Sequence, residues 1–422
     1  MKCAIPAMMF ALCLFAVTLS AKAAEYDLLI KGGHLIDPKN QLDGPADVAV
    51  KGGKIAHVAQ NIDSSEAQEV VDAAGLFVVP GLIDLHTHVF FGTAEDSAYS
   101  NGFSAVPPDG FTFRSGVTTV VDAGGAGWKD FLQFKRQTID HSQTRVLAFI
   151  NIVGSGMKGG PIEQDLNDMD PRLTALRAQE FPGLIVGVKV AHYSGSDWEG
   201  VDRAVAAGKL AGLPVMVDFG YQTPPLPLGD LFLIHLRPGD IFTHTFSQPQ
   251  NRDSIVRNNG KIQPQVWEAR KRGIVFDVGH GAGSFVFRQV VPAVREGFYP
   301  DTISSDLHVR SMNGGMKNLL NVMSKFLNLG ISMRDVIHKT TWALAQVISR
   351  EDLGNLSLGT EADLTILSLQ EGSFGFLDVE GSRMSGTKNL ECELVLRAGR
   401  VVWDLNGLAA KDWSDTPNTS TR

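Results

Sequence analysis

The chain is poor in cysteine, with three in 422 residues, at positions 3, 13 and 392. Two of them fall in a stretch that reads as a leader, which leaves Cys392 alone and excludes an internal disulfide in the remainder of the chain. Cationic excess is absent too: 38 Lys and Arg stand against 46 Asp and Glu, a formal net charge of −8. That balance argues against nucleic acid or an anionic membrane as the main partner. The apolar run Ala4 to Leu19 is short, is broken by Pro6 and Thr18, and is soon succeeded by Glu25 and Asp27. It therefore argues against a membrane span. Internal repeats and low-complexity linkers are lacking as well.

What is present begins with Lys2, the apolar run and Ala21-Lys22-Ala23, a charged start, an apolar middle and a small-x-small cleavage pattern. Residues 1–23 thus read as a secretory signal, and an exported, periplasmic or secreted protein is expected. Cys13 comes after Leu12 rather than a small residue, which argues against a lipid anchor. Loss of Lys2 and Lys22 takes the formal charge from −8 to −10. With 44% hydrophobic residues and 44 glycines the rest can build a large core, whose stability has to come from packing and any bound metal.

Short strand-like runs with glycine turns occupy 24–77 and return over 360–404, so the two chain ends are expected to pair into one small β-domain. His34 and His57 sit there beside turns and read as surface histidines. Between them, strands expected at 78–89, 117–123, 145–153, 184–190, 214–219, 240–246, 274–280 and 301–307 alternate with helical stretches. Those stretches are 128–138, 170–180, 198–211, 227–236, 263–272, 287–297, 317–328 and 332–349. Eight such units over 78–359 make a closed TIM-like (β/α)8 barrel the natural α/β architecture. The tail 405–422 reads as loose.

The chemistry centres on Gly81-Leu82-Ile83-Asp84-Leu85-His86-Thr87-His88. On a strand, His86 and His88 point the same way, about 6.5–7 Å apart along the backbone, and could grip one metal ion. Alone, such a pair is equally a structural one. Further ligand-type residues each end or punctuate their own apolar run: Lys189, Asp218, His244, His280 and Asp306. A barrel gathers its strand ends at one face, so one residue per strand end is how it builds a metal site.

These motifs, with Ser115-Gly116-Val117-Thr118-Thr119, Arg237-Pro238-Gly239-Asp240 before His244, Asp277-Val278-Gly279-His280-Gly281, and Ala362-Asp363-Leu364, resemble the amidohydrolase superfamily. The resemblance is nearest to its dihydroorotase-like amidohydrolase/deacetylase branch and covers almost all of 25–405. It implies a metal-dependent hydrolase cleaving an amide or ester bond in an N-acyl, cyclic amide or acetyl ester substrate. His86, His88 and Asp306 would hold one divalent ion and His244 would help hold a second. Lys189, carbamylated by carbon dioxide, would bridge them. The ions implied are zinc first, with manganese or iron as alternatives. Asp306 would serve as acid and base. The partner implied is a small acylated molecule, with homo-oligomer formation left open.

One position departs from the family pattern. Where a histidine is expected after Pro214-Val215-Met216-Val217, the chain has Asp218. Aspartate is a competent oxygen ligand, but shorter and anionic, and it favours harder ions. Asp218 is either a ligand or the mark of a weakened second site. Around the centre, His280 reads as a group that hydrogen-bonds substrate or braces the site, and His308 as a group behind the ligands. His192 sits in the loop above the barrel, and Asp277 braces a strand. Lys158, Arg310 and Arg288 are candidate partners for a substrate carboxylate, and the glycine-rich loop 154–169 is a candidate lid. His141, His235 and His338 read as ordinary packing or surface histidines. Thr340-Thr341-Trp342-Ala343 also departs from the family, in a structural region. A barrel that has lost catalysis and only binds, and a dihydroorotase, are the competing readings. Export argues against the second, whose substrate is cytoplasmic.

Overall fold

The computed structural model describes residues 24–222, 224–248 and 252–415. The expected signal over 1–23 and the end of the tail, 416–422, lie outside the described residues. Seven parallel strands neighbour one another in chain order: β1 (Leu82–Thr87), β2 (Val117–Gly127), β3 (Arg145–Asn151), β4 (Ile185–Val190), β5 (Val215–Val217), β6 (Ile241–Phe242) and β7 (Val275–Phe276). Residues 302–307 close the ring through two bridges, Asp277 to Thr302 and Thr87 to Leu307. Hydrogen bonds from Val278 N–H to Thr302 O (3.2 Å) and from His88 N–H to Leu307 O (2.9 Å) tie this segment on both sides. The result is the (β/α)8 barrel expected from the strand–helix alternation.

The strands read as continuous apolar runs because both of their faces are covered. Every residue of β1, β2, β4 and β5 is buried. Ile83, Leu85, Val121, Leu147, Phe149, Met216 and Ile241 form one apolar cluster with Leu344, Ala345 and Ile348. This layer supports the site, for Met216 Sδ lies 3.6 Å from Lys189 Nζ.

The chain ends build two further sheets. In one, Leu364–Leu377 pairs antiparallel with Phe77–Pro80 on one side and Arg383–Arg397 on the other. The other joins Lys54–Ala59, Asp47–Lys51, Tyr26–Lys31 and Ala67–Asp72. Leu28, Ile30, Val48, Val78, Leu364 and Leu394 pack between them. Asp363 links this β-sandwich to the barrel, through an ion pair with Arg145 at 2.5 Å and a carbonyl that accepts from Gly81 N–H at 2.9 Å.

Several elements differ from the sequence expectation. Regular pairing in the fifth, sixth and seventh strands is confined to two or three residues each. The helix expected over 227–236 is a turn, Leu228–Asp230, continued by a π-helical segment, Leu231–His235. The helix expected over 332–349 is two, Met333–His338 and Trp342–Val347. The break arises at Thr340 and Thr341, whose hydroxyls bond back to Val336 O and Ile337 O and compete with the helix.

Candidate metal centre

His86 in β1, His88 just beyond it, Lys189 in β4, Asp218 after β5, His244 after β6 and Asp306 in the closing segment all line one cavity of about 470 Å³. All six are buried; Lys189 and His86 are each 1% exposed. The ring therefore brings together the six residues singled out as ligands. Backbone conformation helps aim them: His244 and Asp306 adopt φ of +56° and +55°, a left-handed region costly for residues with a Cβ.

One ligand atom each from His86, His88 and Asp306 lies within 4.8 Å of the other two. Asp306 Oδ1 is 3.0 Å from His88 Nε2 and 3.6 Å from His86 Nε2, yet this buried oxygen has no hydrogen-bond partner among the described residues. A buried carboxylate oxygen facing two imidazole nitrogens without a hydrogen bond is what a divalent cation would satisfy. The donor set therefore fits the metal dependence implied by the motifs. Burial would raise the Asp306 carboxyl, but the imidazoles of His86, His308 and His88 outweigh it and hold the group well below the usual carboxylate range. Burial, reinforced by Lys189, keeps His86 in the neutral form that ligation requires.

The outer hydrogen bonds fix which nitrogen faces inward. Thr243 donates to Asp277 Oδ2 (2.8 Å), so its oxygen accepts from His86 Nδ1–H (2.9 Å) and leaves Nε2 free. Asp277 also accepts from Thr302 and Ser304, which makes it the brace expected. His244 Nδ1–H donates to Gly279 O at 2.6 Å, again freeing Nε2. Such partners orient metal-binding imidazoles. The ring of Tyr99 stacks on His88 at 4.3 Å.

On the other side, Asp218 Oδ2 is 3.4 Å from His244 Nε2 and 3.5 Å from His192 Nε2. His192 Nδ1 is in turn 2.6 Å from the buried carboxylate of Glu163. Lys189 Nζ is 3.3 Å from His86 Nε2 and forms no ion pair among the described residues. Burial lowers its pKa, against the pull of Asp218 and Asp306. Glycines make room for these groups. A Cβ on Gly279 would sit 2.3 Å from Thr243 Oγ1, 2.9 Å from His244 Nδ1 and 3.0 Å from His86 Nδ1. One on Gly281 would sit 2.4 Å from Asp306 Oδ2, and one on Gly124 2.7 Å from Lys189 Cγ.

The other candidates divide. Arg310, His308 and His192 line the cavity. His280 does not: it is fully buried, stacked on Phe285 at 4.4 Å, with Nε2 2.7 Å from Lys325 Nζ. The contact with substrate expected of it is therefore corrected to a bracing one, because the turn at Gly279 (φ +45°) carries the side chain behind the wall. Lys158 and Arg288 also lie outside the lining, although Lys158 O does anchor Ala98 N–H at 3.1 Å. The 154–169 loop contributes Met157 to the lining and ties itself down through Glu163, Asp168 and Lys129. Tyr99, Tyr221, Arg252 and Glu163 were not singled out from sequence. They come from loops, where no periodicity marks an inward side chain.

No protein-family model matches the chain. Curated relatives do. It is 31% identical over 366 residues to a protein named deacetylase from Enterococcus faecalis, covering 85% of this chain and 94% of that one. A deacetylase from Brucella anthropi is 32% identical over 349 residues, covering 80% and 83%. Among solved structures, an adenine deaminase superposes with a TM-score of 0.80 at 29% identity, covering 90% of this chain and 100% of that one. A dihydroorotase gives 0.77 at 27%, covering 89% and 99%. With its barrel, its His-His-Asp cluster and these relatives, the chain belongs to the amidohydrolase superfamily of hydrolases.

Proposed function

We propose that this protein is an exported deacetylase-like hydrolase that removes an acyl group from a small amide or ester substrate. The observation that carries the reading is the convergence of His86, His88 and Asp306 beside the buried Lys189, in a chain whose long-coverage relatives are named deacetylases. His86, His88 and Asp306 would hold one divalent ion, and Asp218 and His244 a second. Zinc is the first choice, with manganese or iron favoured by the anionic Asp218. Bound there, such ions lower the pKa of water and polarise a carbonyl.

The protein's own groups supply the rest. Burial favours the neutral amine of Lys189, the form that adds carbon dioxide with loss of a proton. Such a carbamate would put an anionic oxygen donor beside both ligand halves, where a protonated lysine would be costly to bury. Asp306, whose Oδ1 is unpartnered among the described residues, takes the proton of the attacking water and delivers it to the leaving nitrogen or oxygen. Thr243 and Gly279 hold His86 and His244 in the tautomers that leave Nε2 inward. Tyr99 and His308 wall the cavity beside His88. The test is acetate release from a panel of N-acetyl, O-acetyl and cyclic amide compounds, with and without chelator. Turnover should vanish on chelation and return with zinc or manganese, and Asp306→Asn should lower kcat by about 10²–10⁴. Turnover indifferent to chelator and to that substitution would refute the reading.

A further inference from the structure

The second half of the centre lacks the imidazole that the family pattern places at the end of β5, yet another imidazole faces the gap. His192 lies in the loop after β4, with its backbone at φ +58°, a left-handed conformation costly for a residue with a Cβ. Its Nε2 is 3.5 Å from Asp218 Oδ2, and His244 Nε2 approaches the same oxygen at 3.4 Å. All three side chains line the cavity.

The outer hydrogen bonds of both rings leave those nitrogens free. The buried carboxylate of Glu163 accepts from His192 Nδ1–H at 2.6 Å, and Gly159 N–H holds its other oxygen at 2.5 Å. Gly279 O does the same for His244. With each Nδ1 committed as a donor, a neutral ring turns a lone pair towards the Asp218 oxygen, which is repulsive unless a cation stands between them. Both separations exceed the usual N–H···O length of about 2.7–3.2 Å. They match instead the roughly 3.3–3.4 Å between two donors held about 2.0–2.1 Å from one ion at the tetrahedral angle. A carboxylate that fixes one imidazole nitrogen so that the other can bind metal is also the common setting of histidine ligands. The three do not crowd within 4.8 Å as His86, His88 and Asp306 do. His192 is the member placed to close the set, because a loop carries it and its side chain is 30% exposed, against 6% for Asp218 and 7% for His244 at strand ends.

We propose that His192 is a ligand of the second ion, supplying from the β4 loop the imidazole that Asp218 displaces from β5, with Glu163 the positioning residue behind it. The second half then offers His192, Asp218 and His244. The anion at Asp218 remains, so this half still differs in charge from the family pattern. The inference rests on the two-ion reading above, and metal binding rather than turnover tests it.

Stepwise withdrawal of zinc from the metal-loaded protein by a competing chromogenic chelator supplies the test. The parent should release two ions per chain in two steps. Glu163→Gln, which keeps the ring but loosens its brace, should weaken the second ion by about 10- to 100-fold, and His192→Ala by more than about 100-fold, with the first ion kept in both. The cobalt-loaded protein should lose the visible bands of the second ion in His192→Ala. Asp218→His placed in the His192→Ala chain should return that ion, since it restores an imidazole on β5; continued absence of the ion would mark a lost structure rather than a lost ligand and count against the proposal. Parent affinity and an unchanged cobalt spectrum in both His192→Ala and Glu163→Gln would overturn the proposal and leave the two-ion reading standing. A single ion in the parent would overturn both.

Discussion

The two halves of the centre are built on different plans. On the β1 side, His86, His88 and Asp306 crowd within 4.8 Å, and the orphaned Asp306 oxygen completes a compact set. On the β5–β6 side, one carboxylate oxygen of Asp218 stands between His244 at 3.4 Å and His192 at 3.5 Å, and no third donor among the described residues closes as tightly. The first half is two imidazoles with one acid. The second carries an extra negative charge where the family pattern places an imidazole, and a histidine from the β4 loop, pinned by Glu163, faces it. On the two-ion reading proposed above, the difference means that the halves need not bind alike: the β1 half would suit zinc, whereas the anionic half would lean towards harder ions and a less acidic bound water.

The largest effect should come from removing what joins them. Lys189→Ala should take activity below detection in the acetate assay, with millimolar acetate or propionate restoring part of it by standing in for the carbamate. Undiminished turnover would show that the halves work without the lysine. A smaller and more informative change is Asp218→His, which makes the halves alike. One negative charge leaves the site, so the acidic limb of the kcat/KM profile should move downward by about one unit or more, and zinc should compete better against manganese. A profile and metal preference identical to the parent in both Asp218→His and Asp218→Ala would exclude Asp218 as a ligand.

The smallest effect concerns the brace behind the cavity. Burial pushes Lys325 down to about 7, where an unfolded lysine titrates near 10.4. Between those values the unfolded chain holds a proton that the folded one has released, so this group makes stability rise with pH across that window. Lys325→Met should lose that rise. Thermal unfolding of parent and variant at pH 7 and pH 9.5 should differ in their pH response by a few degrees; parallel curves would place the titration elsewhere.

Much of the architecture was legible in the sequence for physical reasons. Alternation put His86 and His88 on one side, and the runs ending at Asp218 and His244 showed where strands deliver side chains. The β-sandwich was foreshadowed because strand-like runs recur over 24–77 and 360–404, although Val78–Pro80, expected to begin the first barrel strand, pair instead with Leu364–Ile366 in the sandwich. His280 was misplaced since a strand pattern does not reveal the positive φ at Gly279 that swings it behind the wall. Glu163, Tyr99, Tyr221 and Arg252 stayed hidden because loop paths depend on distant contacts such as Glu163 with His192. The closing segment was read as a strand over 301–307, yet it is held to its neighbours by isolated bridges rather than a regular ladder.

Metal content tests the central claim of two unlike halves most directly. Elemental analysis of protein grown with supplemented zinc and manganese should give close to two divalent ions per chain in the parent. Asp218→Ala should keep the ion at His86, His88 and Asp306 and lose the other. One ion or none in the parent would contradict the account, as would a full pair retained by Asp218→Ala.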